Sequence, residues 1–133
     1  MKAAGLLLAT LGTALLTGCA SLQPDNATQV RELATQRWQA LLARKWDTAY
    51  EFATPGFRNL RSADDYRVMR SSTLVRWESA RVLRADCEPE RCVVTIELKS
   101  RPLLPPFHTT PIESAIEEIW VKQDGRWWMH EKL

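Results

Sequence analysis

The sequence predicts an α+β domain, with helices first and an antiparallel sheet packed against them afterwards. Two patterns and one turn carry that reading. From about Ala27 to Arg44, apolar residues return every three or four positions. From Leu74 onward, apolar and polar residues alternate, and β-branched residues and tryptophans become frequent. Between the last two alternating segments stands Asp124-Gly125, a dipeptide suited to a tight hairpin.

The first helix is expected from about Ala27 to Arg44. Val30, Leu33, Ala34, Trp38, Leu41 and Leu42 form its apolar stripe, with Arg31, Glu32, Gln36 and Arg37 mostly off it. Asn26 is the expected cap, with Gln29 three residues on. In "KWDTAYEFATPGFR", Asp47 reads as the cap of a short second helix that Pro55-Gly56 ends. "SADDYRVMR" reads as a third, with Ser62 as cap and Asp65 at the capping-box position.

Two strands follow in "LVRWESARVLRAD" and "CVVTIELKSR", the second with Val94, Ile96 and Leu98 on its buried face. "RPLLPPFHTTP" carries four prolines and reads as a loop or a sheet-edge excursion; a further short strand near residues 100–112 stays open. "IEEIWV" and "RWWMHEKL" form the closing hairpin around Asp124-Gly125. Cys87 and Cys92, with Pro89 between them, are expected to form a disulfide that clamps the first hairpin. Four intervening residues do not suit a redox motif. With two histidines in the chain, and neither nearby, a metal site is disfavoured.

The N-terminus is of another character. Met1-Lys2 precede an uncharged, mostly apolar run from Ala3 to Leu16, shorter than the roughly 20 residues that cross a bilayer. That layout fits a secretory signal. Leu16-Thr17-Gly18-Cys19 resembles the lipobox of bacterial lipoproteins. The resemblance implies a signal peptide over 1–18, lipid attachment at Cys19, and a short tether over 19–26. With Ala20 next, it also implies a lipid-anchored protein of the outer membrane facing the periplasm. Loss of Lys2 with residues 1–18 lowers the net charge from +2 to +1, too neutral to argue for nucleic acid. Seven arginines from Arg58 to Arg84 stand against Asp64, Asp65 and Glu78, which reads as a solvated face.

The order of three stretches resembles the NTF2-like superfamily, which includes SnoaL-like and ketosteroid-isomerase-like proteins. The stretches are "KWDTAYEFATPGFR" after a long helix, "VRWESARV" opening a hairpin, and "IWVKQDGRWWMHEKL" closing the chain. The resemblance covers about 27–133. It implies a strongly bent antiparallel sheet wrapped around the N-terminal helices as a cone, and dimers formed through the sheet.

Candidates for chemistry are Asp47, Tyr50, Tyr66, His108, His130 and the strand carboxylates Glu97, Glu117 and Glu118. Since Glu117 and Glu118 are adjacent, one of them can point inward as a base. There is no nucleophile elbow, phosphate loop or metal cluster in the sequence. No residue set stands out as catalytic, and no cofactor or metal is expected. The preferred expectation is binding without catalysis, of a small apolar ligand or an envelope protein partner. An isomerase- or dehydratase-type enzyme and a structural accessory subunit are the alternatives. Tyr50, Trp77 and Trp120 are candidate lining residues, with Leu104 and Phe107 on the proline-rich loop; core packing for the tryptophans and a sealing role for the loop compete with that. Of the adjacent Trp127 and Trp128, one must leave the main core.

Overall fold

The computed structural model describes residues 24–133; the apolar N-terminal run and Cys19 lie outside the described residues. Helix α1 spans Asn26–Leu42. Its cap is Asp25 rather than Asn26, and the Asp25 carboxylate accepts from the Thr28 backbone N–H at 2.8 Å. Asp and Asn are equally good caps, so neighbouring candidates are separated only by where the backbone turns. Val30, Ala34, Trp38 and Leu41 are buried, as the period requires. Arg37 is buried with them, contrary to expectation.

The next segment makes two helices, α2 (Trp46–Tyr50) and α3 (Pro55–Leu60). Asp47 is not a cap. It lies inside α2 and pairs with Arg67 at 2.9 Å on the surface. Pro55-Gly56 opens α3 instead of merely ending its predecessor. Thr54 caps it by accepting from the Phe57 N–H at 3.2 Å, and proline suits a first helical turn because its missing N–H would have no partner there. Helix α4 (Ala63–Ser71) starts at the expected Ser62–Asp65 capping box.

The sheet is a four-stranded antiparallel meander in the order β1 (Val75–Cys87), β2 (Arg91–Pro102), β3 (Ile112–Gln123) and β4 (Arg126–Met129). It curls into a half-barrel, with α1 against β1 and β2. Two register shifts in β1, between Trp77 and Ser79 and between Val82 and Arg84, leave Glu78 and Leu83 as extra residues. Each bulge bends the strand and resets its alternation. The inward set therefore runs Val75, Trp77, then Ala80, Val82, then Ala85, Cys87. A 3₁₀ turn, Phe107–Thr109, occupies the proline-rich connection, and no strand forms there.

Cys87 and Cys92 are register partners joined by a disulfide, with Sγ–Sγ 1.98 Å. Asp124 and Gly125 have φ of 52° and 74°, the left-handed pair that a two-residue hairpin needs. The free edge of β4 is covered by the α2–α3 link: Met129 N–H donates to Phe52 O at 2.7 Å, and Thr54 N–H to Met129 O at 3.2 Å. Trp127 faces the core, while Trp128 lies on the other face between the guanidinium groups of Arg58 and Arg126.

Because the disulfide closes so short a loop, reduction is expected to cost about 2 kcal/mol. Urea unfolding of oxidised and dithiothreitol-reduced protein measures this. A loss above about 4 kcal/mol would mean that loop entropy is not the main contribution.

Candidate functional site

A buried ion cluster joins both halves of the fold. Arg37, from the middle of α1, is 1% exposed. Its Nη1 donates to Glu118 Oε1 at 2.6 Å, and its Nη2 to Glu131 Oε1 at 2.5 Å. Glu118 lies on the inward face of β3 between Ile116 and Trp120, and Glu131 follows β4. Helix α4 contributes two residues: Tyr66, whose hydroxyl donates to Glu131 Oε1 at 3.2 Å, and Arg70, which pairs with Glu131 Oε2. Two indoles complete the shell. Trp38 Nε1 donates to Glu118 Oε1 at 2.8 Å, and Trp120 Nε1 to Glu118 Oε2 at 3.2 Å.

All four carboxylate oxygens therefore accept at least one hydrogen bond, and two cations balance two anions. Burial alone would lower the pKa of Arg37. The adjacent Glu118 and Glu131 outweigh that and hold it above the ordinary arginine value. Burial pushes the Tyr66 hydroxyl up, against the pull of Arg37, so Tyr66 stays a donor at neutral pH.

Beside the cluster lies a cavity of about 320 Å³. Trp38, Leu41, Trp77, Leu98, Ile116 and Met129 form its apolar wall, and Arg37, Arg70, Glu118 and Glu131 its polar side. Glu117, His130 and Lys132 also reach it from more exposed positions. Of the two adjacent acids, Glu118 is the inward one, and it is held by three donors. Among the described residues, no group of three His, Cys, Asp or Glu side chains could hold a metal ion.

The candidate residues are dispersed. Trp77 lines the cavity and meets Trp38 edge-to-face, with centroids 5.3 Å apart. Trp120 is fully buried and faces Glu118 instead of the cavity. Tyr50 lies outside the cavity wall; its hydroxyl donates to Arg61 O at 2.7 Å, tying α2 to the end of α3. Leu104 and Phe107 are exposed on the proline-rich connection, so they do not seal the sheet as buried contacts. His108 and His130 are exposed, and Glu97 pairs with Arg81 on the surface.

Arg37, Arg70 and Glu131 were not legible as site residues, though two left a trace. Arg37 is seven residues after Val30 and four before Leu41, on the buried period. Glu131 continues the inward alternation of Trp127 and Met129.

No protein-family model matches the chain, and no curated protein matches it. Solved structures do. A SEC-C motif containing protein from Rhodopseudomonas palustris, solved in solution, is 22% identical with a TM-score of 0.55; the match covers 71% of this chain and 70% of that one. The crystal structure of a SEC-C motif containing protein from Psychrobacter arcticus is 14% identical with a TM-score of 0.60, over 94% of this chain and 75% of that one. At these identities the likeness is one of fold. It corrects both resemblances drawn from sequence. The matched folds are described by the SEC-C motif, not as NTF2-like, SnoaL-like or ketosteroid-isomerase-like proteins, and neither is described as a lipoprotein. Among the described residues, no helix is long and apolar enough to cross a membrane. The order of aromatic segments that suggested the NTF2-like superfamily reflects a helix-then-meander layout that is not confined to one family.

Arg37→Met should destabilise the domain by about 3–5 kcal/mol, because two buried carboxylates lose their shared partner. Adding Glu118→Gln and Glu131→Gln should recover part of that loss. Denaturant midpoints decide it: a single variant as stable as wild type would mean the cluster is not buried as described.

Tyr66 adds a pH dependence. Its pKa is raised in the folded state, so its contribution is fully present below the unfolded value, about 10. That contribution falls away as pH rises through the folded value. Wild type should lose more stability than Tyr66→Phe above pH ~10, as read from urea midpoints. Parallel curves for the two proteins would contradict this.

Proposed function

We propose that this domain is a binding module that takes a small ligand with an apolar body into the cavity beside the Arg37 cluster. One observation carries the reading: a cavity walled by Trp38, Leu41, Trp77, Leu98, Ile116 and Met129 remains open beside the buried cluster. At about 320 Å³ it is at the lower end of the range for ligand clefts, roughly 300–1,000 Å³. The three donors on each of Glu118 and Glu131 support binding over carboxylate catalysis, since they hold both acids in their structural pairs. The Cys87–Cys92 disulfide supports action in an oxidising compartment.

The test uses the uncharged fluorophore N-phenyl-1-naphthylamine. Its emission should rise on mixing with the wild-type protein, with energy transfer from tryptophan. Ile116→Trp, on a half-buried position of the wall, should fill the space and weaken binding about tenfold or more without lowering the melting temperature appreciably. Equal binding by wild type and a folded Ile116→Trp variant would remove this cavity as the site.

A further inference from the structure

The sheet has two edges. That of β4 is covered by the α2–α3 link. That of β1 is open: β1 is the terminal strand of the sheet, and among the described residues no backbone hydrogen bond outside the β1–β2 ladder reaches residues 76–86. Its sequence, "VRWESARVLRADC", contains neither proline nor glycine, so every residue along it carries a backbone donor. Helix α1 stands back from this edge. Between its Arg31, Thr35 and Gln39 and the half-buried Ala80 and Val82 runs a groove of about 490 Å³. An uncovered strand edge is a template for another strand.

The succession of faces along β1 is the same in both directions. Outward from Arg81, the inward residues are Ala80 and Val82, then Trp77 and Ala85, then Val75 and Cys87. Each bulge leaves an exposed doublet, Glu78-Ser79 on one side and Leu83-Arg84 on the other, equally distant from Arg81. A single bulge spoils pairing along an edge. Two placed in this way match each other when a second β1 runs antiparallel across a two-fold axis at Arg81. In that register Arg76 faces Asp86 of the second copy, and Glu78 faces its Arg84. A slide of two residues sets Arg76 against Arg84 in one direction and Glu78 against Asp86 in the other, like charges that repel. A slide of one residue puts inward side chains opposite outward ones. Arg81 meets its own copy, but each Arg81 is held by Glu97 at 2.9 Å.

We infer that the free edge of β1 binds a second copy of this chain: two molecules join antiparallel along residues 75–87, with the two-fold axis at Arg81. The product is one continuous sheet, twice the four strands of a single copy. Arg84 and Asp86, bonded to each other at 2.8 Å, then lie opposite Glu78 and Arg76 of the second copy. Each end of the interface thus carries four charges of alternating sign.

Sedimentation equilibrium of the full chain tests the pairing. Wild type should show a concentration-dependent equilibrium between monomer and dimer. Arg76→Asp and Asp86→Arg each act twice across the axis, and each should weaken the dimer about tenfold or more. The combined Arg76→Asp/Asp86→Arg variant should recover most of the wild-type affinity. Within one chain the two residues are about 30 Å apart along the strand, so such recovery can come only from contact between copies. Both are exposed, and matching melting temperatures of dilute samples would show that each variant folds. Hydrogen exchange on the wild type gives a second reading: the amides of residues 76–86 should exchange faster on dilution, in step with loss of dimer. A monomer at every concentration would overturn the pairing and mean that the charges and bulges guard the edge. A dimer indifferent to the single reversals, or one that the combined variant does not recover, would place the contact on another surface. Exchange in β1 that ignores dilution of a wild-type dimer would overturn it as well, whether or not the variants fold.

Discussion

The fold depends on how Arg37 is accommodated. A guanidinium carried into the middle of a small domain loses its hydration, a penalty of several kcal/mol that only close, well-oriented anions offset. Here Glu118 and Glu131 provide them, one from the third strand and one from the chain after the fourth. Tyr66 and Arg70 bring the last helix to the same point. Apolar contacts alone would tolerate small slides of α1 along the sheet. Directional charged bonds of 2.5–2.6 Å do not. We read the cluster as the element that sets the register between helices and sheet.

The same cluster bears on chemistry. A buried acid becomes a useful base when it lacks partners, since burial then raises its pKa. Glu118 has the burial but not the isolation: one guanidinium and two indoles bond to it. The network therefore ties the walls together. What it leaves beside it is space, with Trp38 and Trp77 edge-to-face along one side.

The curl of the sheet has its own cause. Two bulges in β1 re-aim the inward residues, so that a strand of thirteen residues keeps facing a curved core. A straight strand with uninterrupted alternation would have turned Ala80 and Val82 to the wrong face. The likeness to two SEC-C motif containing proteins lies at this level, of helices followed by a curled meander. Ligand chemistry does not travel with a fold.

Much of the fold was legible in the sequence because its signals are local. The period of α1, the Ser62–Asp65 capping box, the alternation of β2 and the Asp124-Gly125 turn each depend on residues a few positions apart, and each stands where its pattern placed it. Where two local readings competed, the backbone chose: Asp25 over Asn26 as a cap, and Pro55 as a helix opener. The site was not legible in this way. Arg37 lies 81 residues from Glu118 and 94 from Glu131, and a charged residue on an apolar period looks like an exposed one until its partners are known. The cavities, too, exist only as the space between elements, and no periodicity encodes a void. The chain by itself determined which segments are helix and which are strand, because those preferences are satisfied within a turn or a hairpin. Tertiary structure alone decided which charges are buried, which are paired, and where the cavities open, because burial and pairing belong to the packed whole.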